Sequence, residues 1–225
     1  MAAPEAVPPR AKVAVLVSGG VDSAILVGEL VAAGREVTPI YVRFGLAWEA
    51  IEEAHLRRFL ATLPEPGARP LVVLALPIAD VYGTHWSVSG ADVPGERTPD
   101  EAVYLPGRNL LLLAKASVWC ALHGVETIAL GTLAGNPFPD AGRPFFGGFG
   151  SLASLAMTCR LEVVTPFAGL RKHEVLERGR TLEVAHTFSC IAPAAGRHCG
   201  RCNKCAERRR AFTQLGIADV TDYAA

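Results

Sequence analysis

The sequence lacks an excess of either charge. Over 225 residues, 22 Lys and Arg face 22 Asp and Glu, a formal net charge of zero. A protein whose main work is coating nucleic acid or an anionic membrane carries a surplus of one sign, so nucleic acid and membrane are not expected partners. A long apolar run is also missing. The best stretch, residues 110–122, is broken by Lys115 and is too short to cross a bilayer. The first ten residues are rich in Ala and Pro but hold no apolar segment, so no secretory leader is expected and residues 1–11 read as a flexible tail. General disorder is excluded because half the residues are hydrophobic and a fifth charged. A soluble protein of the cytoplasm, with one domain-sized core, is the expectation.

Short apolar runs alternate with helical patterns. Residues 13–17 read as a buried strand, 24–33 as a helix closed by Gly34, 36–42 as a strand and 71–76 as a third strand. Between the last two, Trp48, Ile51, His55, Phe59 and Leu63 recur at helical spacing over 47–63. Further on, residues 127–130 and 161–164 read as strands, 109–123 as a helix buried all round, and 171–178 as a short helix. Residues 87–103 read as a mobile loop, and the stretch 134–150, rich in Gly and Pro, as another loop. This order predicts an α/β fold: a doubly wound, mostly parallel, Rossmann-like sheet of about five strands over residues 12–185. Residues 186–225 differ. They hold a cysteine cluster and a basic helix, 203–215, and read as a small metal-binding appendage.

Two motifs carry chemistry. Ser18, Gly19, Gly20, Val21, Asp22 and Ser23 lie between the first strand and the first helix. Glycines there let backbone N–H groups approach an anion, and the helix N-terminus adds partial positive charge. Ser18 and Ser23 offer hydroxyl donors, and Asp22 suits either a helix cap or Mg²⁺ on a bound polyphosphate. A Walker-type Gly-Lys-Ser/Thr ending is absent. The second motif is Cys190, Cys199, Cys202 and Cys205. Two-residue spacings let thiolates converge on one metal, and the eight-residue loop lets Cys190 complete a tetrahedron. A closed four-thiolate site makes Zn²⁺ structural, while an Fe–S cluster is the competing reading. The surrounding arginines suit compensation of the thiolate charge.

The Ser18–Ser23 string resembles the pyrophosphate loop of the N-type ATP pyrophosphatases, the PP-loop superfamily. Joined with Tyr104-Leu-Pro-Gly-Arg-Asn109, Thr165-Pro-Phe167, Lys172, Thr187-Phe-Ser-Cys190 and the run from His198 to Cys205, it closely resembles the 7-cyano-7-deazaguanine synthase (QueC/ExsB) family from about Lys12 to Gly216. The resemblance implies an ATP-dependent ligase that adenylates a carboxylate, forms the amide with ammonia and dehydrates it to a nitrile after a second adenylation. ATP with Mg²⁺, ammonia and 7-carboxy-7-deazaguanine would be its reactants, and a homodimer its usual assembly. Lys172 and Arg108 become candidates to share the charge of the departing pyrophosphate.

Two segments depart from the family pattern. Arg43-Phe-Gly-Leu46 replaces an acid- and Gln-containing turn, and residues 131–140 keep only the Pro-Asp ending. Asp140 is the carboxylate left in that loop and is expected to read a guanine-like N–H edge. Phe138 is expected to stack on a planar ring, and Asn109 either lines the acceptor or caps its helix. Other readings keep the adenylation but change the acceptor, use an Fe–S cluster for tRNA thiolation, or make the chain a non-catalytic ATP- and zinc-binding module. Neither Cys120 nor Cys159 sits in a nucleophile elbow, so ammonia must come from solution or a partner.

Overall fold

The computed structural model describes residues 12–224; the tail expected over residues 1–11 lies outside the described residues. Five strands form one sheet: β1 (Lys12–Leu16), β2 (Glu36–Arg43), β3 (Val72–Ala75), β4 (Thr127–Ala129) and β5 (Glu162–Val164). Their order is β3-β2-β1-β4-β5, and every pairing is parallel. The helices are α1 (Val21–Ala32), α2 (Glu49–Leu60), α3 (Ala79–Tyr82), α4 (Trp86–Ser89), α5 (Arg108–His123), α6 (Arg143–Met157), α7 (Lys172–Arg178) and α8 (Asn203–Leu215).

Residues 13–16 of β1 read as an unbroken apolar run because both faces of the sheet are covered there, whereas the edge strand β3 is only half-buried. Val13 and Val15 of β1 pack with Ile25 of α1, Phe59 of α2, Val175 of α7 and Phe212 of α8. Ala14 and Leu16 face the other way, toward Leu113 of α5 and Phe146 of α6. Each such side chain contributes about 1.5–3 kcal/mol on burial. The doubly wound sheet matches the expected class. Its strand order reverses between β1 and β4, and the crevice beyond their C-terminal ends is where such sheets bind ligands.

Three stretches differ from the sequence reading. The expected loop over 134–150 gives way at Arg143 to α6, which begins with Pro144 in its first turn. Gly147, Gly148 and Gly150 weaken its intrinsic propensity, but Phe146 and Ala153 are buried against the sheet. Gly150 backs onto β5 so closely that a Cβ would stand 3.2 Å from the Leu161 carbonyl oxygen. Second, residues 87–103 are held in place. The Asn203 N–H donates to the Pro94 carbonyl at 2.9 Å and its side-chain amide to the Thr98 carbonyl at 2.9 Å. Third, α5 is buried on one side only: Leu113, Ala116 and Cys120 are inside, while Leu110, Val118 and Leu122 are exposed. Leu152 and Leu155 of the adjoining α6 are exposed as well. Among the described residues, no helix is long and apolar enough to cross a membrane.

Candidate functional site

A cavity of about 480 Å³ opens at the strand reversal. Its floor is the turn after β1. Gly20 forms the N-cap of α1 with no side-chain cap, which leaves the first-turn N–H groups without a side-chain acceptor. Gly19 has φ +70°, and a Cβ there would stand 2.9 Å from both Cγ and the carbonyl oxygen of Glu52, so only glycine fits. Ser23 braces the turn: its Oγ accepts from the Ser18 N–H and donates to the Gly20 carbonyl, both at 3.2 Å. Ser18, Gly20, Asp22 and Ser23 line the cavity, whereas Val21 is buried behind it.

Distant chain segments meet at this turn. Lys172, at the start of α7, donates to Asp22 Oδ2 at 2.5 Å and lies 3.5 Å from Glu207 of α8. Lys204 donates to Glu207 at 2.7 Å. Burial pushes the Lys172 pKa down, but Asp22 and Glu207 outweigh it and hold the ammonium above its ordinary value. Burial likewise opposes ionisation of Glu207, yet Lys172 and Lys204 bring its pKa down to about 2. Asp22 Oδ1 is buried with no hydrogen-bond partner among the described residues, an acceptor left open beside the phosphate-type turn.

The cavity is also lined by Arg108, Asn109, Phe138 and Asp140. Asn109 is not the cap of α5, a position Gly107 takes. Its N–H donates to Asp140 Oδ2 at 3.0 Å and its side-chain amide to the Asp140 carbonyl at 2.9 Å, which ties the 132–140 loop to the helix. Phe138 stacks on Tyr104 at 5.1 Å between ring centroids. Trp48 and Trp86, stacked at 5.8 Å, add a second aromatic pair. Arg108 Nε is buried and has no hydrogen-bond partner among the described residues. The cavity thus combines an anion-binding turn, fixed cations, two orphaned polar atoms and flat aromatic walls, the donor set of a nucleotide and a planar acceptor.

Glu52 was not singled out by the sequence. Of the residues at helical spacing, Trp48, Phe59 and Leu63 are buried as expected, whereas Ile51 and His55 are half-buried and Glu52, Glu53 and Leu56 lie inside. Glu52 lines the cavity, and the Tyr41 hydroxyl donates to its Oε2 at 2.7 Å. Burial raises its pKa to about 7, although bonds from Tyr41 and Trp48 and the charge of Arg108 pull the other way. The unfamiliar Arg43 points elsewhere. It grips Glu53 with two bonds, at 2.7 and 2.9 Å, and Arg57 holds the same carboxylate. Lys204 and Glu207 are hidden in the sequence by the basic helix that contains them, and Trp86 belongs to no motif.

The four cysteines converge. Their sulfurs all lie within 4.8 Å of one another, and all four residues are buried. Two Sγ–Sγ distances are 3.9 and 4.0 Å. A tetrahedron with Zn–S bonds of 2.3 Å has edges of about 3.8 Å. The bonds reaching the sulfurs come from backbone N–H groups: Cys199 and Ala192 donate to Cys190 Sγ, and Arg201 and Cys202 to Cys199 Sγ, at 3.3–3.4 Å. Charge compensation by arginine heads is therefore only part of the picture. Arg208 is buried and spends its guanidinium on Thr187, Thr221 and the Val184 carbonyl. Arg197, Arg209 and Arg210 face Asp222, Glu96 and Asp100. Cys120, whose thiol burial pushes up to about 12, lies apart from this cluster.

The family model described as queuosine biosynthesis protein QueC matches residues 12–216. A 7-cyano-7-deazaguanine synthase of Syntrophobacter fumaroxidans is 33% identical, over 95% of this chain and 97% of its own. A protein of the same name from Thiobacillus denitrificans is 34% identical, over 93% and 97% of the two chains. Another from Myxococcus xanthus is 32% identical, over 93% and 96%.

Proposed function

The chain belongs to the QueC family of queuosine biosynthesis proteins, and we propose that it is an ATP-dependent ligase converting 7-carboxy-7-deazaguanine to 7-cyano-7-deazaguanine. The observation that carries this reading is the junction at Asp22, where the anion-binding turn, Lys172 and the free Oδ1 meet beside a cavity with flat aromatic walls.

A carboxylate is a poor electrophile, because substitution would expel oxide. Attack of its oxygen on the α-phosphorus of ATP forms an acyl-adenylate and releases pyrophosphate. N–H groups of residues 19–23 and the Lys172 ammonium stabilise the charge that develops on the departing pyrophosphate. Arg108, unpartnered at Nε among the described residues, serves the same negative charge from the cavity lining. Asp22, through Oδ1, is the residue that would hold Mg²⁺ on the polyphosphate, and that ion would supply charge neutralisation. Ammonia then displaces AMP to give the amide, and a second adenylation makes the amide oxygen a leaving group, so the nitrile forms. Asp140 and Phe138 supply the acceptor's hydrogen-bonding edge and stacking face, with Asn109 fixing the Asp140 loop.

Cys190, Cys199, Cys202 and Cys205 fit Zn²⁺, which would act structurally because four thiolates leave no open position. The metal would pin the start of α8, and with it Lys204 and Glu207. ATP use and four clustered thiols favour a cytoplasmic location. The exposed leucines of α5 and α6, with Leu122 and Leu155 nearly four-fifths exposed, suit burial in a homodimer. Leu122→Glu should then give a monomer in sedimentation equilibrium. The ligase reading is tested by pyrophosphate release: it should require 7-carboxy-7-deazaguanine and Mg²⁺. Release that proceeds equally without any carboxylate would contradict the reading.

A further inference from the structure

We propose that Glu52 is the general base that takes the protons released by the acceptor's nitrogen. The inference rests on the ligase reading above. In that chemistry nitrogen sheds protons after each attack. Ammonia donates its lone pair to the acyl carbon, the C–N bond forms, and the C–O bond breaks with its electron pair leaving on AMP; the surplus N–H proton must go to a base. In the second half, adenylation of the amide oxygen is followed by loss of both remaining N–H protons. Their electron pairs build the C≡N bond as the C–O bond breaks and AMP leaves. Adenylation itself takes no proton from nitrogen.

Five carboxylates line the cavity, at Asp22, Glu52, Asp100, Asp140 and Glu207. Asp22 is paired with Lys172 at 2.5 Å, and Glu207 is held as a strong acid between two lysines. Asp140 accepts the Asn109 N–H, and Asp100 faces Arg210 at 3.8 Å. Glu52 and Asp140 are the two of the five with no cationic partner within 4.0 Å among the described residues, and Asp140 is tied through its carboxylate and carbonyl to Asn109, which leaves Glu52. It is 7% exposed, and its stem abuts the Gly19 backbone, so it stands beside the phosphate turn where the acyl-adenylate would form. The Tyr41 hydroxyl fixes one carboxylate oxygen at 2.7 Å. The ionisable groups facing it are Tyr41 from β2, Arg108 from α5 and Glu49 from its own helix. The adjoining turn carries one charge, Asp22, which is paired with Lys172, and the segment at His186 meets α2 one turn later, at His55. Burial brings Glu52 to about 7, where a carboxylate both accepts and returns protons at neutral pH.

The test uses the full-length wild type, Glu52→Gln and Tyr41→Phe, with ATP, Mg²⁺, ammonium and 7-carboxy-7-deazaguanine, over pH 5.5–8.5. Wild-type nitrile formation should rise with pH through an acidic limb near 7. Glu52→Gln should lose nitrile formation by more than about 50-fold and lose the limb, while carboxylate-dependent ATP–pyrophosphate exchange falls by less than about fivefold. Tyr41→Phe removes a bond that favours the ionised carboxylate, so the limb should move to higher pH. If Glu52→Gln keeps the limb and the rate, or if exchange falls as far as nitrile formation, Glu52 is not the base. A wild type that makes no nitrile overturns the ligase reading, and this inference with it. A wild type that makes nitrile, with an unaffected Glu52→Gln, removes only the role of Glu52.

Discussion

Two polar clusters lie on either side of α8, and they are built on opposite principles. In the cysteine cluster the four sulfurs converge within 4.8 Å, and backbone N–H groups close around two of them. In the cavity, Asp22 Oδ1 and Arg108 Nε have no hydrogen-bond partner among the described residues, and Glu52 is buried with no ion pair within 4.0 Å among them. Saturated groups hold a fold together, whereas unsatisfied ones cost stability and are kept where a ligand completes them. The first cluster should therefore fail as structure and the second as chemistry.

The largest effect expected of this contrast is at the cysteines. Cys199→Ser should abolish stoichiometric Zn²⁺ binding by elemental analysis and lower the melting temperature by roughly 10 °C or more, since structural zinc contributes its binding energy to folding. A colourless protein is expected; iron and sulfide in the wild type would favour the Fe–S reading instead. Next comes Glu52, with the opposite sign. Its folded pKa of about 7 exceeds the ordinary 4.5. The stability it contributes is full below about pH 4.5 and is lost as pH rises through about 7. Glu52→Gln should therefore be the more stable protein at pH 8, by up to about 3 kcal/mol, with the gain vanishing near pH 4.5 in denaturant titrations. Equal stabilities at both pH values would break the contrast.

A smaller effect concerns the phosphate turn. Asp22→Ala should cut pyrophosphate release by more than about tenfold, with a melting curve close to wild type. Ser23→Ala should do the same and also cost about 1 kcal/mol of stability, because its Oγ braces the turn. The smallest effect is at Asp140. Asp140→Asn keeps an acceptor for the Asn109 N–H and should raise the KM for 7-carboxy-7-deazaguanine roughly tenfold, leaving the KM for ATP nearly unchanged.

The contrast also runs through what the sequence made legible. Residues 18–23 and the cysteines read clearly because the turn is local and the ligand spacing is set by the metal. The five strands were legible from apolar runs that both faces of the sheet require. Helix α6 was not, since its glycines and Pro144 signal a loop, and only the fit of Gly150 against β5 and of Phe146 in the core makes it helical. Order in residues 87–103 comes from Asn203, a hundred residues away. Glu52 was hidden for the same reason: two adjacent glutamates read as a solvated face until Tyr41 bonds to one and Arg43 to the other.

The most direct test of the central claim, that this cavity converts a carboxylate into a nitrile at the expense of ATP, is mass spectrometry of one reaction. Protein, ATP, Mg²⁺, ammonium and 7-carboxy-7-deazaguanine are mixed, and the products are followed with ¹⁵N-ammonium. The account predicts 7-cyano-7-deazaguanine carrying ¹⁵N, with AMP and pyrophosphate formed alongside it. Neither amide nor nitrile from this acid, with pyrophosphate released from ATP only when some other carboxylate is supplied, would contradict it.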